Sequence, residues 1–156
     1  MGSKTATSKA KRSFWHRHSL GLVCSAILLL WIVLYSFGSP ETHWGSFFGN
    51  AIADWTGLVV TIYATKHLYE KGSAESRRPA PKRLTPLWLW VREHSLTVFL
   101  VLTGIVWIVV FARSNSESKW GQVVGNIVSE WTQLMGVVLL TKRLLEWHSK
   151  ESNDQS

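Results

Sequence analysis

A chain of 156 residues that is 46% hydrophobic, with ten Trp and a net charge of +7, predicts one domain. Its apolar residues come in long blocks, which excludes the amphipathic stripes of a soluble helical core. The single cysteine, Cys24, excludes an intrachain disulfide.

Residues 1–13 read as a basic tail. The block from Leu20 to Phe37 carries no charge and predicts a transmembrane helix over about 20–37. Cys24 lies inside it as a packing residue, and a lipobox reading fails because no apolar region precedes it. The same segment has the layout of a signal peptide, with Ser36 and Gly38 as small cleavage-site residues. The internal repeat argues against cleavage. A second apolar run opens at Trp44 and predicts a helix over about 44–66, broken by Asp54. The segment 77–89 is a polar, Pro-bearing linker, and "LWLWVREH" from Leu87 reads as a short interfacial helix. Helices three and four are expected over about 96–112 and 120–142, the last broken by Glu130, and 153–156 is a tail. Each run is long enough to cross about 30 Å of hydrocarbon. The expected fold class is an all-α integral membrane protein with four transmembrane helices.

Shifted by 76 residues, the sequence matches itself without a gap. "WGSFFGN" at Trp44 becomes "WGQVVGN" at Trp120, "DWTGL" at Asp54 becomes "EWTQL" at Glu130, and "TKHLYE" at Thr65 becomes "TKRLLE" at Thr141. Such self-similarity marks a tandem repeat, here two hairpins over 14–76 and 90–152. An even number of crossings returns the chain to its starting side, so the hairpins run parallel and not inverted.

Lys and Arg set the orientation. Fifteen lie in the N-terminal tail, the Lys66–Arg92 region and the C-terminal end, against only Arg113 and Lys119 elsewhere. Both termini are therefore expected in the cytoplasm, and the basic charge reads as a topology signal with a lipid-bilayer partner. Its division among three membrane-flanking segments argues against nucleic acid. Trp15, Trp88, Trp90 and Trp147 fall at the expected inner interface, and Trp44 and Trp120 at the outer, where an indole keeps its ring apolar and its N–H paired.

The two acids demand more. With a second helix from Trp44 to Lys66, Asp54 lies about 15 Å from the outer end, near the bilayer midplane. Glu130 is its counterpart. A start at Gly49 and Gly125 would instead move both acids toward the outer interface. An acid at the midplane costs about 2.5–3.5 kcal/mol. Asn50, Asp54, Gly57, Thr61 and Thr65 fall on one arc, and Asn126, Glu130, Gln133 and Thr141 on the matching one. Polar stripes of this kind face a bundle interior, a subunit contact or a water path. Trp55 and Trp131 follow the acids directly, with N–H groups placed to donate to a carboxylate. Beside the stripes, Gly45 and Gly49, and again Gly121 and Gly125, form GxxxG and predict close packing of helices two and four, either to each other or across subunits. Three readings stay open: a helix-packing clasp, a path for a proton or monovalent cation, and a small-ligand or lipid site. Four short helices shield two acids poorly, so a homo-oligomer is expected.

At the expected cytoplasmic ends, His18 and His94 begin helices one and three, while Glu70 and Glu146 close helices two and four. Interfacial His exposed to headgroups is the simpler reading of that placement, and a pH-sensitive His–Glu contact is the alternative. His16 and His18 lack companions for a metal site. No nucleophile–base constellation, phosphate loop or Cys/His metal spacing appears. No catalytic residue, cofactor or metal is therefore assigned, and an enzyme is the least supported class.

The unit "NAIADWTGLVVTIYATKHLYEKGSAES" resembles a family of small bacterial membrane proteins of uncharacterised function, with an Asn, acid and Trp cluster opening the second helix and a Gly-Ser-x-Glu-Ser tail. Asn50, Trp55, Gly72, Ser73, Glu75 and Ser76 carry the resemblance in one half. Asn126, Glu130, Trp131, Ser149, Glu151 and Ser152 carry it in the other, where His148 replaces the Gly. The resemblance implies a bacterial plasma-membrane protein and supplies no activity.

Overall fold

The computed structural model describes residues 3–73, 75–76, 85–142 and 144, with backbone only for 3–17. It is all-helical among those residues, with no strand. The helices are α1 (Ser3–Phe37), α2 (His43–His67), α3 (Pro86–Glu93), α4 (Ser95–Arg113) and α5 (Lys119–Leu140). Three are long and apolar enough to cross a membrane: His18–Phe37 within α1, and the whole of α4 and α5. α2 has 25 residues, but its Gly, Ser, Asn, Asp and Thr content keeps it outside that set. α1 starts at Ser3, so helix runs unbroken through the segment expected as a separate tail.

Packing order is α1–α2–α5–α4, with α2 and α5 central. α3 contacts α4, and its Glu93 accepts from Lys71 N beyond α2. It leaves Leu87, Trp88 and Trp90 more than half exposed, as an interfacial helix must. The core lies between the central pair and its flanks, with Tyr35, Ile52, Leu96, Leu100, Val123, Ile127 and Trp131 buried.

Each hairpin turns in the same way. Thr42 caps α2 by accepting from Gly45 N (3.0 Å) and donating to Ser39 O (2.8 Å). Ser118 caps α5 by accepting from Gly121 N (3.1 Å) and donating to Asn115 O (2.6 Å). A hydroxyl at this position satisfies an orphan N–H of the first turn. The chain turns so tightly that a Cβ on Gly45 would collide with the Ser39 carbonyl, and one on Gly121 with that of Asn115.

This changes the role expected for GxxxG. Gly45 and Gly121 belong to the turns. Gly49 lies under the Tyr35 ring of α1, and Gly125 under the Phe111 ring of α4, where an added Cβ would sit 3.2 and 3.1 Å from a ring carbon. The motif therefore closes each helix onto its own hairpin partner and does not join α2 to α5. A flat ring on a bare backbone gains contact that any side chain would prevent. At the same end, Tyr35 Oη donates to Lys119 O (2.6 Å), and Lys119 Nζ donates to the carbonyls of Gly38 (2.5 Å) and Ser36 (3.1 Å). An ammonium there satisfies the orphan carbonyls at the end of α1.

Candidate functional site

α2 and α5 meet along their polar arcs. Asn126 Nδ2 donates to Asn50 Oδ1 at 2.6 Å. One turn further on, Asp54 and Glu130 lie within electrostatic reach of each other. Both helices start six residues before Gly49 and Gly125, so each acid lies 11 residues into its helix. This is the deeper of the two placements considered from sequence.

The close approach at the seam is made by Gly57. A Cβ there would sit 2.6 Å from Glu130 Cγ and 2.7 Å from its Oε1. The Glu130 stem thus lies directly on the α2 backbone. Gly57→Ala is expected to destabilise the protein by about 1–3 kcal/mol through overpacking and to turn Glu130 away from Asp54. Thermal unfolding in detergent reads the first effect. Unchanged stability would mean that the Glu130 side chain is not packed on Gly57.

The arcs are only partly covered. Asn50, Asp54 and Gln133 are exposed, and Asn126, Glu130, Thr61 and Trp55 are half-buried. Gln133 is not joined to the Asn pair by any described hydrogen bond.

Trp131 departs from its expected role. Its indole N–H donates to Thr103 Oγ1 of α4 (2.9 Å), not to a carboxylate. Its ring covers Gly104 and leans on Trp107, with centroids 5.9 Å apart. Helical spacing explains this. One residue after Glu130 the helix has turned about 100°, from the seam toward α4. The signal for this contact was in the sequence as Thr103 and Gly104, a hydroxyl and a gap within an otherwise bulky apolar helix.

A second polar cluster lies at the other end of the bundle. Glu70 is fully buried just beyond α2. Its carboxylate pairs with Lys142, accepts from His94 Nδ1 (2.6 Å) and accepts from the Thr97 backbone N–H (3.1 Å). Burial alone would raise this carboxyl, but Lys142, Thr97 and His94 outweigh it and hold Glu70 below the ordinary carboxylate range. A His–Glu contact is therefore present at this end, made by His94 with Glu70, while Lys142 was missed. The lysine sits in "TKRL", which repeats "TKHL", and its recurrence beside the closing acid was the available signal. In the first half, His18 Nδ1 lies 3.0 Å from Lys66 Nζ. Glu146, the other acid expected at this end, lies outside the described residues.

No family model, curated protein or solved structure matches this chain, so the resemblance to small bacterial membrane proteins rests on the quoted residues alone.

Proposed function

We propose that the protein is a four-span bacterial plasma-membrane protein, built from two parallel hairpin repeats, that serves as an oligomeric proton or monovalent-cation channel or carrier subunit. α1, α2, α4 and α5 are the spans, and both termini are cytoplasmic. The matched turns at Thr42 and Ser118, and the matched ring-on-glycine contacts at Gly49 and Gly125, support the repeat. The distribution of Lys and Arg supports the orientation.

One observation carries the transport reading. Asp54 and Glu130 come together at mid-helix, beside the Asn50–Asn126 bond, with Asp54 still exposed. A carboxylate facing hydrocarbon is costly, whereas one facing water or a second subunit is not. A homo-oligomer that covers the α2/α5 face gives both acids a polar environment and a continuous path between copies.

The second reading is an accessory protein in which these residues form a helix-packing clasp. The Asn50–Asn126 bond and the seating of Glu130 on Gly57 favour it, since an interhelical hydrogen bond in lipid needs no transported ion.

Proton and K⁺ flux into liposomes separates the two. The transport reading expects flux in the parent and its loss in a folded Asp54→Asn/Glu130→Gln double mutant. The clasp reading expects little flux in either, with altered assembly in the mutant. No parent flux across pH and membrane potential overturns the transport reading.

A further inference from the structure

Beyond α2 the chain does not leave the bundle. Leu68 N still donates to Ala64 O (2.7 Å), and then the segment crosses to α4. Tyr69 exchanges bonds with the start of that helix: its N–H donates to Ser95 Oγ (2.9 Å) and its carbonyl accepts from Leu96 N (3.1 Å). Lys71 N donates to Glu93 O (2.8 Å). Gly72 adopts φ +84°, a left-handed turn that suits glycine. The turn folds the chain back so that Ser73 is buried and shares a hydrogen bond with Thr141 of the α5 cap (3.0 Å). Ser76 Oγ then accepts from Glu70 N (2.8 Å). The Gly-Ser-x-Glu-Ser tail is thus a folded cap, and Glu70 is its rivet to α5 through Lys142 and to α4 through His94 and Thr97.

Beneath the cap lies a small apolar cavity between α2, α4 and α5. Thr61, Ala64 and Thr65 line one side, Leu100 and Val138 the other, and Glu75 of the cap also lines it. Thr61 and Thr65 continue the arc of Asn50 and Asp54. The cavity therefore lies between the seam acids and the basic end of the bundle.

We infer that residues 68–73, with 75 and 76, form an inner plug, riveted by Glu70, that separates the Asp54/Glu130 seam from water on the cytoplasmic side. The inference rests on reading that seam as a path. A folded cap held by side-chain bonds opens as a local unit, at a free energy below that of global unfolding, and the bonds to Lys142 and Ser73 set that free energy. Loss of the Lys142 ammonium leaves a buried carboxylate without its charge partner, which favours the open cap.

Cysteine accessibility tests this. In a Cys24→Ala background, Thr65→Cys and the deeper Thr61→Cys are reacted with a membrane-impermeant thiol reagent from the cytoplasmic side. Modification is expected to be slow with the cap intact and about tenfold or more faster with Lys142→Met added. Lys142→Arg should stay near the slow rate. Ser73→Ala, which removes the hydroxyl's bonds to Thr141 and to Glu75 N and keeps the ion pair, serves as the second opener should Lys142→Met fail to fold. Equal rates in parent and openers, or a parent rate already matching an exposed control cysteine, overturn the plug. Labelling needs no transport, so the two readings fail separately. Faster labelling without flux keeps the plug and removes the path. Acid-dependent flux with unchanged labelling keeps the path and removes the plug.

Discussion

Glu70→Ala is expected to destabilise the folded protein by about 3–5 kcal/mol, the loss typical of breaking a buried pair. Glu70 is completely buried and is the common partner of Lys142, His94 and the Thr97 N–H. Its removal leaves those three donors facing a void, and the segment after α2 keeps the Tyr69 bonds to the start of α4, the Lys71–Glu93 bond and the Ser73–Thr141 bond. Denaturant or thermal unfolding in detergent measures the effect. A double-mutant cycle with Lys142→Met should show strong non-additivity, because each substitution abolishes the same contact. The pH response follows from the lowered carboxyl. A group that binds its proton less readily when folded stabilises the fold above its unfolded pKa, and the gain fades as pH falls through the folded value. The parent should therefore lose this contribution on acidification below the ordinary carboxylate range, and Glu70→Ala should lack that part of the response. A destabilisation under about 1 kcal/mol, the size of a typical hydrogen bond, would mean that the cluster does not hold the cap.

Trp131→Ala should cost about 3–5 kcal/mol, as buried aromatic truncations do, yet leave any acid-dependent flux intact. The ring fills the space between α5 and Gly104, touches Trp107 and donates to Thr103. Within a membrane the loss comes from dispersion contacts and the interhelical hydrogen bond, not from transfer out of water. Trp131→Phe keeps most of the ring contact and should cost only about 1 kcal/mol. Unfolding in detergent and flux in liposomes are read side by side. Loss of flux in a well-folded Trp131→Phe protein would return the indole to the acid site.

Much of this architecture was legible in residue order. Approximate helix positions follow from where the long apolar runs end at polar and charged segments, whereas the caps at Thr42 and Ser118 emerge only in the structure. That Asp54 and Glu130 share a seam was one arrangement left open by their matching places 76 residues apart, and the Asn50–Asn126 bond beside them was not legible. A His–Glu contact was an alternative at that end, and the structure supplies it as His94 with Glu70.

What failed were inferences about which neighbour a face meets. GxxxG looks the same in sequence whether it serves a turn, a ring or a second helix. Ring stacking decided it here, because Tyr35 and Phe111 occupy the grooves above Gly49 and Gly125. Trp131 was assigned to the acid because it follows it, although adjacent residues on a helix face about 100° apart. Lys142 was counted as a topology charge, although its alkyl stem lets the ammonium turn inward to a buried acid.

By itself, the sequence determined that this chain folds as long apolar helices, because hydrophobic runs are a local property of residue order. Only the tertiary structure decided the packing order α1–α2–α5–α4, the use of Gly57 at the seam and the burial of Glu70 under three donors. Those outcomes depend on which surfaces fit at close range. Such a fit is a property of pairs of faces, and no single segment contains it.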